Sequence, residues 1–121
     1  MKRELAKVIK ISTTHVLEIL EVPDLSIETV SGIIGGYVEN VKPRRLPRDM
    51  AMIVDEEGLI KELPINLAGS YLYETDKHGS PIVGDILIMG DRQEEYSWNW
   101  CGLSEEQIQE ILALLEFIVK V

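Results

Sequence analysis

Apolar and polar residues alternate in the first part of this chain and then take up a helical period. Two apolar runs, at residues 5–11 and 16–22, flank the polar turn Ser12-Thr13-Thr14, which predicts a β-hairpin. Ser26 then offers an N-cap to a short helix whose apolar residues recur at helical spacing. Gly35 and Gly36 predict its end, because glycine adopts the left-handed C-cap conformation at little cost.

The middle of the chain predicts more strands and a second short helix. Residues 37–41 alternate like a strand, and strands at 50–54 and 59–63 are predicted on either side of the acidic turn Asp55-Glu56-Glu57-Gly58. Asn66 is placed to cap a helix that reaches about residue 73, and a loop over 74–81 leads into a strand at 82–89, closed by Gly90-Asp91.

The C-terminal segment predicts the longest helix. Ser104 and Gln107 have the spacing of a capping box, so the helix should begin at Glu105 and run almost to the terminus. Its apolar residues are too numerous for one stripe, since Leu114, Phe117 and Val121 widen it. Either the helix is deeply buried or it meets a second chain, and we expect a homo-oligomer formed through it.

These elements together predict an α+β fold. We expect a small, mostly antiparallel sheet, a short helix after the N-terminal hairpin, and a longer C-terminal helix packed on the sheet. The length of 121 residues suits a single domain over residues 1–121.

Charge and composition narrow the class of protein. The net charge of −9 argues against general nucleic-acid binding, which depends on clustered Lys and Arg. No apolar run is long enough to cross a membrane or to serve as an export signal. One cysteine, Cys101, allows no internal disulfide, so we expect a cytoplasmic location.

Several ordered blocks of sequence resemble a known family. They are Gly35-Gly36-Tyr37-Val38-Glu39, Met52-Ile53-Val54-Asp55-Glu56-Glu57-Gly58-Leu59, Leu63-Pro64-Ile65-Asn66, Ala68, Ile82-Val83-Gly84-Asp85-Ile86-Leu87-Ile88 and Leu103-Ser104-Glu105-Glu106-Gln107. Over residues 25–107 the chain is similar to the domain of unknown function 3846 family of phages, plasmids and mobile elements. The resemblance implies a mobile-element setting, in which the protein of a phage-borne gene would lie in the host cytoplasm. It supplies no reaction and no catalytic residues.

The densest positive charge lies in the segment from residue 42 to residue 48, which we call the basic loop. Lys42, Arg44, Arg45 and Arg48 are four of the twelve Lys and Arg residues of the chain. Arginines bind phosphates in a bidentate manner, and the two prolines of the loop would limit the ordering needed on binding. The alternative is a solvated loop that pairs with the acidic surface.

A second candidate is aromatic. Tyr96, Trp98 and Trp100 would share one face of an extended segment, where they could stack a nucleobase or anchor a partner protein. The alternative is that these rings pack under the final helix.

Other residue types give no catalytic or metal site. His15 and His78 have no second ligand at metal spacing, and no histidine lies near Cys101 in sequence. The carboxylates of Asp55-Glu56-Glu57 are explained by a turn. Asn66 is explained first by helix capping, although a helix N-terminus could also receive an anion.

The sequence therefore leaves two hypotheses open. The first is a non-enzymatic protein without cofactor or metal that sequesters an anionic nucleotide signal of host defence. In it, Lys42, Arg44, Arg45 and Arg48 bind phosphates and Trp98 or Trp100 stacks a base. The second is an acidic inhibitor or accessory factor that occupies a host protein. An enzyme is a more distant third possibility.

Overall fold

The computed structural model describes residues 5–92 and 100–121. The elements in chain order are β1 (Ala6–Ile11), β2 (Leu17–Val22), α1 (Ile27–Ile34), β3 (Val38–Val41), β4 (Met50–Asp55), α2 (Leu67–Tyr73), α3 (Thr75–His78), β5 (Ile86–Asp91), β6 (Trp100–Cys101) and α4 (Glu105–Leu115). This arrangement is the predicted α+β fold.

The strands form one antiparallel sheet in the order β2-β1-β5-β4-β3, with β6 paired to the end of β5. The predicted N-terminal hairpin is confirmed, with Ala6 opposite Val22 and Ile11 opposite Leu17. The short strand β6 lies close against β5 at Gly90, where a Cβ atom would come 2.7 Å from the Cys101 Sγ atom.

Helices cover both faces of the sheet, and each face has its own apolar core. On one face, α1 packs over a cluster that includes Val8, Val30, Ile53 and Leu87. On the other, α2 and α4 pack over a larger cluster that includes Met52. The inner strands β4 and β5 are therefore buried on both sides, which is why their sequences are almost continuously apolar.

The predicted helix caps are confirmed. The Ser26 side chain accepts a hydrogen bond from the Thr29 backbone, and Gly35 closes α1 in the left-handed conformation at φ 92°. Ser104 and Gln107 form both hydrogen bonds of the capping box of α4.

Some boundaries differ from the prediction. Helix α4 ends at Leu115, and a short turn follows it instead of more helix. The predicted loop over 74–81 contains the one-turn helix α3. Strand β5 begins only at Ile86 and includes Gly90 and Asp91 instead of ending before them.

The predicted strand at 59–63 is wrong. These residues form successive turns, in which the Lys61 N–H donates to the Glu57 carbonyl and the Leu63 N–H to the Gly58 carbonyl. The physical reason lies in the sheet, because β4 already has β3 on one side and β5 on the other. A hairpin partner following β4 would have no free edge on which to pair.

Candidate functional site

The basic loop connects β3 to β4 at the edge of the sheet. Its apolar residues fix it to the body of the protein, since Pro43 and Leu46 are buried and Leu46 belongs to the core under α4. The Leu46 N–H donates to the Pro43 carbonyl at 2.9 Å, which closes a tight turn. The loop therefore has a defined backbone from which its four cationic side chains diverge.

Arg45 is engaged with α2. Its Nε atom donates to the Tyr71 carbonyl at 2.8 Å, and its guanidinium carbon lies 4.4 Å from the centre of the Tyr71 ring. A further contact of 3.6 Å joins it to the Glu74 carboxylate. The Glu74 N–H also donates to the Tyr71 carbonyl, at 3.2 Å, so Arg45 adds a second donor at the end of α2 and holds the loop against the helix.

Lys42 and Arg44 are exposed and line a cleft of about 480 Å³, which we call the edge cleft. The Arg44 guanidinium lies 5.8 Å from the centre of the Tyr73 ring. One wall of the cleft comes from β3 and the end of β4, and the facing wall comes from the segment that follows α3. The remaining lining residues are Glu39, Asn40, Val41, Val54, Asp55, Glu56, Leu59, Tyr73, Ser80, Pro81, Ile82 and Val83.

The edge cleft has charges of opposite sign at its two ends. Glu39 lies near the start of β3. Glu56 lies opposite Tyr37, two residues before Glu39, since the Glu56 backbone N–H donates to the Tyr37 carbonyl at 2.8 Å. Lys42 and Arg44 follow the other end of the same strand. Apolar side chains also line the cleft, among them Val54, which lies opposite Glu39, and Ile82.

A third carboxylate in the lining, Asp55, is already paired. Asp55 is 7% exposed, and it accepts hydrogen bonds from the Lys61 ammonium at 2.7 Å and from the Glu57 N–H at 2.8 Å. The hydrogen bond to Asp55 raises the pKa of Lys61, and the charges of Asp55 and Glu57 act in the same direction. Asp55 is therefore not simply a turn residue, as the sequence suggested, but the buried partner of an ion pair.

Arg48 lies away from the edge cleft. It lines a smaller cleft of about 280 Å³ together with Asn40, Lys42, Pro47 and Asp91. Lys42 therefore borders both clefts, whereas Arg44 lines only the edge cleft and Arg48 only the smaller one.

Trp100 lies on the sheet face that α1 covers. It stands opposite Asp91 in the β5–β6 pair and packs against the core cluster of that face. The apolar wall of the edge cleft, with Val54 and Ile82, belongs to the cluster on the opposite face. Trp100 thus neighbours the cleft of Arg48 through Asp91 and not the cleft of Arg44. It also does not pack under the final helix, because α4 lies on the other face.

Trp98, the other predicted stacking residue, lies outside the described residues, as does Tyr96.

Asn66 has the capping role that its sequence position suggested, and it also joins α2 to two other segments of the chain. Its side-chain oxygen accepts from the Gly69 N–H at 3.0 Å. Its side-chain nitrogen donates to the carbonyls of Ile11 and Gly84, both at 3.0 Å. The side chain is fully buried, so no surface remains for an anion there.

The residues opposite the basic loop in the edge cleft were not among the sites that the sequence predicted. Glu39, Tyr73 and Ser80–Val83 meet there only because β3 pairs with β4 and because α2 ends beside the loop. No local sequence signal places these residues beside the loop, because an N-cap such as Asn66 marks where a helix starts and not where it ends.

Within residues 5–92 and 100–121, no three or more His, Cys, Asp or Glu side chains form a group that could hold a metal ion. No helix in these same ranges is both long enough and apolar enough to cross a bilayer.

The apolar stripe of α4 faces the protein's own sheet. Ile108, Ile111 and Leu115 are buried there, whereas Phe117, just after the helix, is 69% exposed. Association through this helix stays a prediction, and Phe117 and Val121 are the exposed apolar residues that it would use.

The fold thus defines the class of protein as an α+β domain with a charged cleft at one edge of its sheet. The sequence profile of the domain of unknown function DUF3846 matches residues 6–116, and the chain belongs to this family. The match extends beyond the resembling blocks to include the N-terminal hairpin and the whole of α4. No curated protein and no solved structure gives a significant match.

Proposed function

We propose that this protein binds, without transforming it, a small anionic ligand of the nucleotide class in the edge cleft. The observation that supports the proposal is the composition of the cleft, with two cations after one end of β3, two carboxylates near the other end and apolar side chains in the same lining. Its volume of about 480 Å³ lies within the usual range of small-molecule sites.

Each part of the cleft suits one part of a nucleotide. Lys42 and Arg44 would bind phosphate oxygens by charge-assisted hydrogen bonds. Glu39 and Glu56 would accept hydrogen bonds from ribose hydroxyls or a base amino group, which a simple polyanion lacks. The wall with Val54, Pro81 and Ile82 offers an apolar surface to a flat base.

The biological role that we propose is sequestration. A binder that holds a nucleotide signal without turning it over lowers the free concentration of that signal. In a protein carried by a phage or mobile element, this would counter a host defence that depends on the signal. The role rests on the cleft and on the absence of recognisable catalytic motifs in the sequence.

The test is calorimetric titration and native mass spectrometry with cyclic and linear nucleotides, a nucleoside and inorganic pyrophosphate. We expect nucleotides to bind more tightly than either fragment, and the Lys42→Ala/Arg44→Ala variant to lose at least about tenfold in affinity, since charge-assisted hydrogen bonds contribute about 1.5–3 kcal/mol each. The matched control is Lys7→Ala/Lys120→Ala, which removes two exposed cations that do not line the cleft.

The Arg48→Ala variant distinguishes the two clefts. Loss of binding in Arg48→Ala with full binding in Arg44→Ala would place the ligand in the smaller cleft near Trp100. If no compound in the panel binds, or if the control variant weakens binding as much as the double variant, the proposal is wrong.

A second candidate function is binding of a host protein through acidic surface. The solvent side of α4 supports it, because Glu105, Glu106 and Glu110 are exposed there and Glu116 follows the helix. Exposed carboxylates in a row suit a partner with a basic surface. A pull-down from host lysate that is lost when these four residues are changed to Gln, and retained in Lys42→Ala/Arg44→Ala, would favour this function over ligand capture.

A further inference from the structure

Strand β3 forms one edge of the sheet. Among the described residues it pairs only with β4, with Val38 opposite Asp55 and Val41 opposite Met52. Glu39 and Asn40 in its centre are exposed, and the preceding Tyr37 is 71% exposed. An edge strand presents backbone N–H and C=O groups that another strand can bind.

The hydrogen-bond pattern identifies which backbone groups point outward. The Glu56 N–H donates to the Tyr37 carbonyl, so Tyr37 begins a series in which alternate residues bond to β4. Glu39 and Val41 continue that series. The N–H and C=O groups of Val38 and Asn40, and of Lys42 just after the strand, therefore point away from β4.

The side chains at this edge are arranged with opposite charges at the two ends. Glu39 and Glu56 lie at the start of β3, and Lys42 and Arg44 follow its end. A second copy of β3 that lies antiparallel would place its basic end beside the acidic end of the first. The edge is thus complementary in charge to itself when it is reversed.

We infer that two copies of this chain associate through β3 to form one continuous antiparallel sheet, with the two-fold axis at Asn40. This register sets Val38 opposite Lys42 of the second copy and Glu39 opposite Val41. It pairs all the outward backbone groups of Val38, Asn40 and Lys42. An axis at Glu39 would instead set two carboxylates opposite each other, which is unfavourable.

The dimer is tested on the ligand-free protein, so its failure and the failure of nucleotide binding are distinguishable, although Glu39 and Lys42 also line the edge cleft. The β3 interface differs from association through α4, since β3 and the exposed Phe117 are separate surfaces. The two interfaces can be told apart by substitution.

The first test is sedimentation equilibrium of the full chain over a wide concentration range. We expect a dimer whose dissociation constant rises at least about tenfold in Asn40→Pro, because proline removes an outward N–H that β4 does not use. We also expect the dimer to weaken as salt is raised. A monomer at every concentration, or a dimer that Asn40→Pro leaves intact and Phe117→Ser disrupts, would overturn the inference.

Disulfide trapping provides a second test that does not require a proline variant to fold. Directly opposed residues in a hydrogen-bonded antiparallel pair have Cα atoms about 5.5 Å apart, within the range that a disulfide spans. In a Cys101→Ser background, Asn40→Cys should oxidise rapidly to a covalent dimer. Glu18→Cys, an exposed position on the opposite edge strand β2, should not. Equal cross-linking at the two positions would reject the β3 interface.

Discussion

The two irregular segments that flank β4 use their polar residues in opposite ways. On the side after the strand, Asn66 and Asp55, the last residue of β4, are buried and are bonded within the protein. In the basic loop before the strand, Lys42 and Arg44 are exposed and border the edge cleft. Buried polar groups with internal partners specify the fold, whereas exposed charges around a cleft are available to a ligand.

The largest expected effect on stability belongs to Asn66. Replacing Asn66 with Ala removes a helix cap, which costs about 1 kcal/mol. It also leaves the buried carbonyls of Ile11 and Gly84 without this donor, at about 1–3 kcal/mol. We expect the free energy of unfolding to fall by about 3 kcal/mol in urea denaturation.

Asn40→Ala is the matched control for that variant, because it removes an exposed amide from the edge strand. Measured at a protein concentration low enough to keep the chain monomeric, its free energy of unfolding should stay within about 0.5 kcal/mol of the native protein. Equal losses of unfolding free energy in Asn66→Ala and Asn40→Ala would mean that the buried asparagine contributes no more to stability than the exposed one.

The contrast between the two segments also explains what the sequence could predict. The caps at Ser26, Asn66 and Ser104 are local signals, because the side chain and the backbone group that it binds are three residues apart. The starts of α1, α2 and α4 were therefore predicted correctly, whereas α3, which has no side-chain cap, was predicted as a loop. The end of α4 was not predicted correctly, because no glycine marks it as Gly35 marks the end of α1.

Other features depend on contacts between distant parts of the chain. The apolar residues Leu59 and Ile60 suggested a strand, but they are 61% and 81% exposed in turns, since the sheet leaves no edge beside β4. The basic loop was found as a charge cluster. The three arginines of the loop lie in different places, with Arg45 against α2, Arg44 at the edge cleft and Arg48 at the smaller cleft. Their positions depend on how the loop folds over its neighbours, and the spacing of residues in the sequence does not specify this.

Arg45 is expected to have an intermediate effect on stability. Arg45→Ala removes the hydrogen bond to the Tyr71 carbonyl and the contact with the Tyr71 ring. We expect a loss of about 1–2 kcal/mol in the free energy of unfolding, measured by urea denaturation. Affinity for a nucleotide, measured by calorimetry, should change less than about twofold, because Arg45 does not line the edge cleft. A large loss of affinity with unchanged stability would give Arg45 the ligand-binding role.

Arg44 should show the reverse behaviour. Its exposed guanidinium lies 5.8 Å from the Tyr73 ring, near the limit of a cation–π contact, so Arg44→Ala should cost less than about 0.5 kcal/mol of stability. Nucleotide affinity should fall about tenfold. Thermal denaturation and calorimetric titration of the same samples check both expectations. A destabilised Arg44→Ala variant with normal affinity would contradict the distinction between Arg44 and Arg45.

The smallest expected effect concerns Lys61, and pH reveals it. The pKa of Lys61 is raised above its ordinary value of 10.5, chiefly by the hydrogen bond to Asp55. A raised pKa in the folded state means that folding favours the protonated amine. The stabilisation is therefore complete below pH 10.5 and is lost as the pH rises through the higher folded-state pKa.

Substitution of Lys61 by Met tests this linkage. The Lys61 side chain is 37% exposed, so solvent screens the pair and the loss of stability at neutral pH should be modest. Thermal melts of Lys61→Met and the native protein should differ by a constant amount from pH 6 to pH 9 and converge in more alkaline buffer. Melts that differ equally at alkaline pH would show that the lysine acts by packing alone. The buried Asp55 would then be held mainly by the Glu57 N–H, and not by an ion pair.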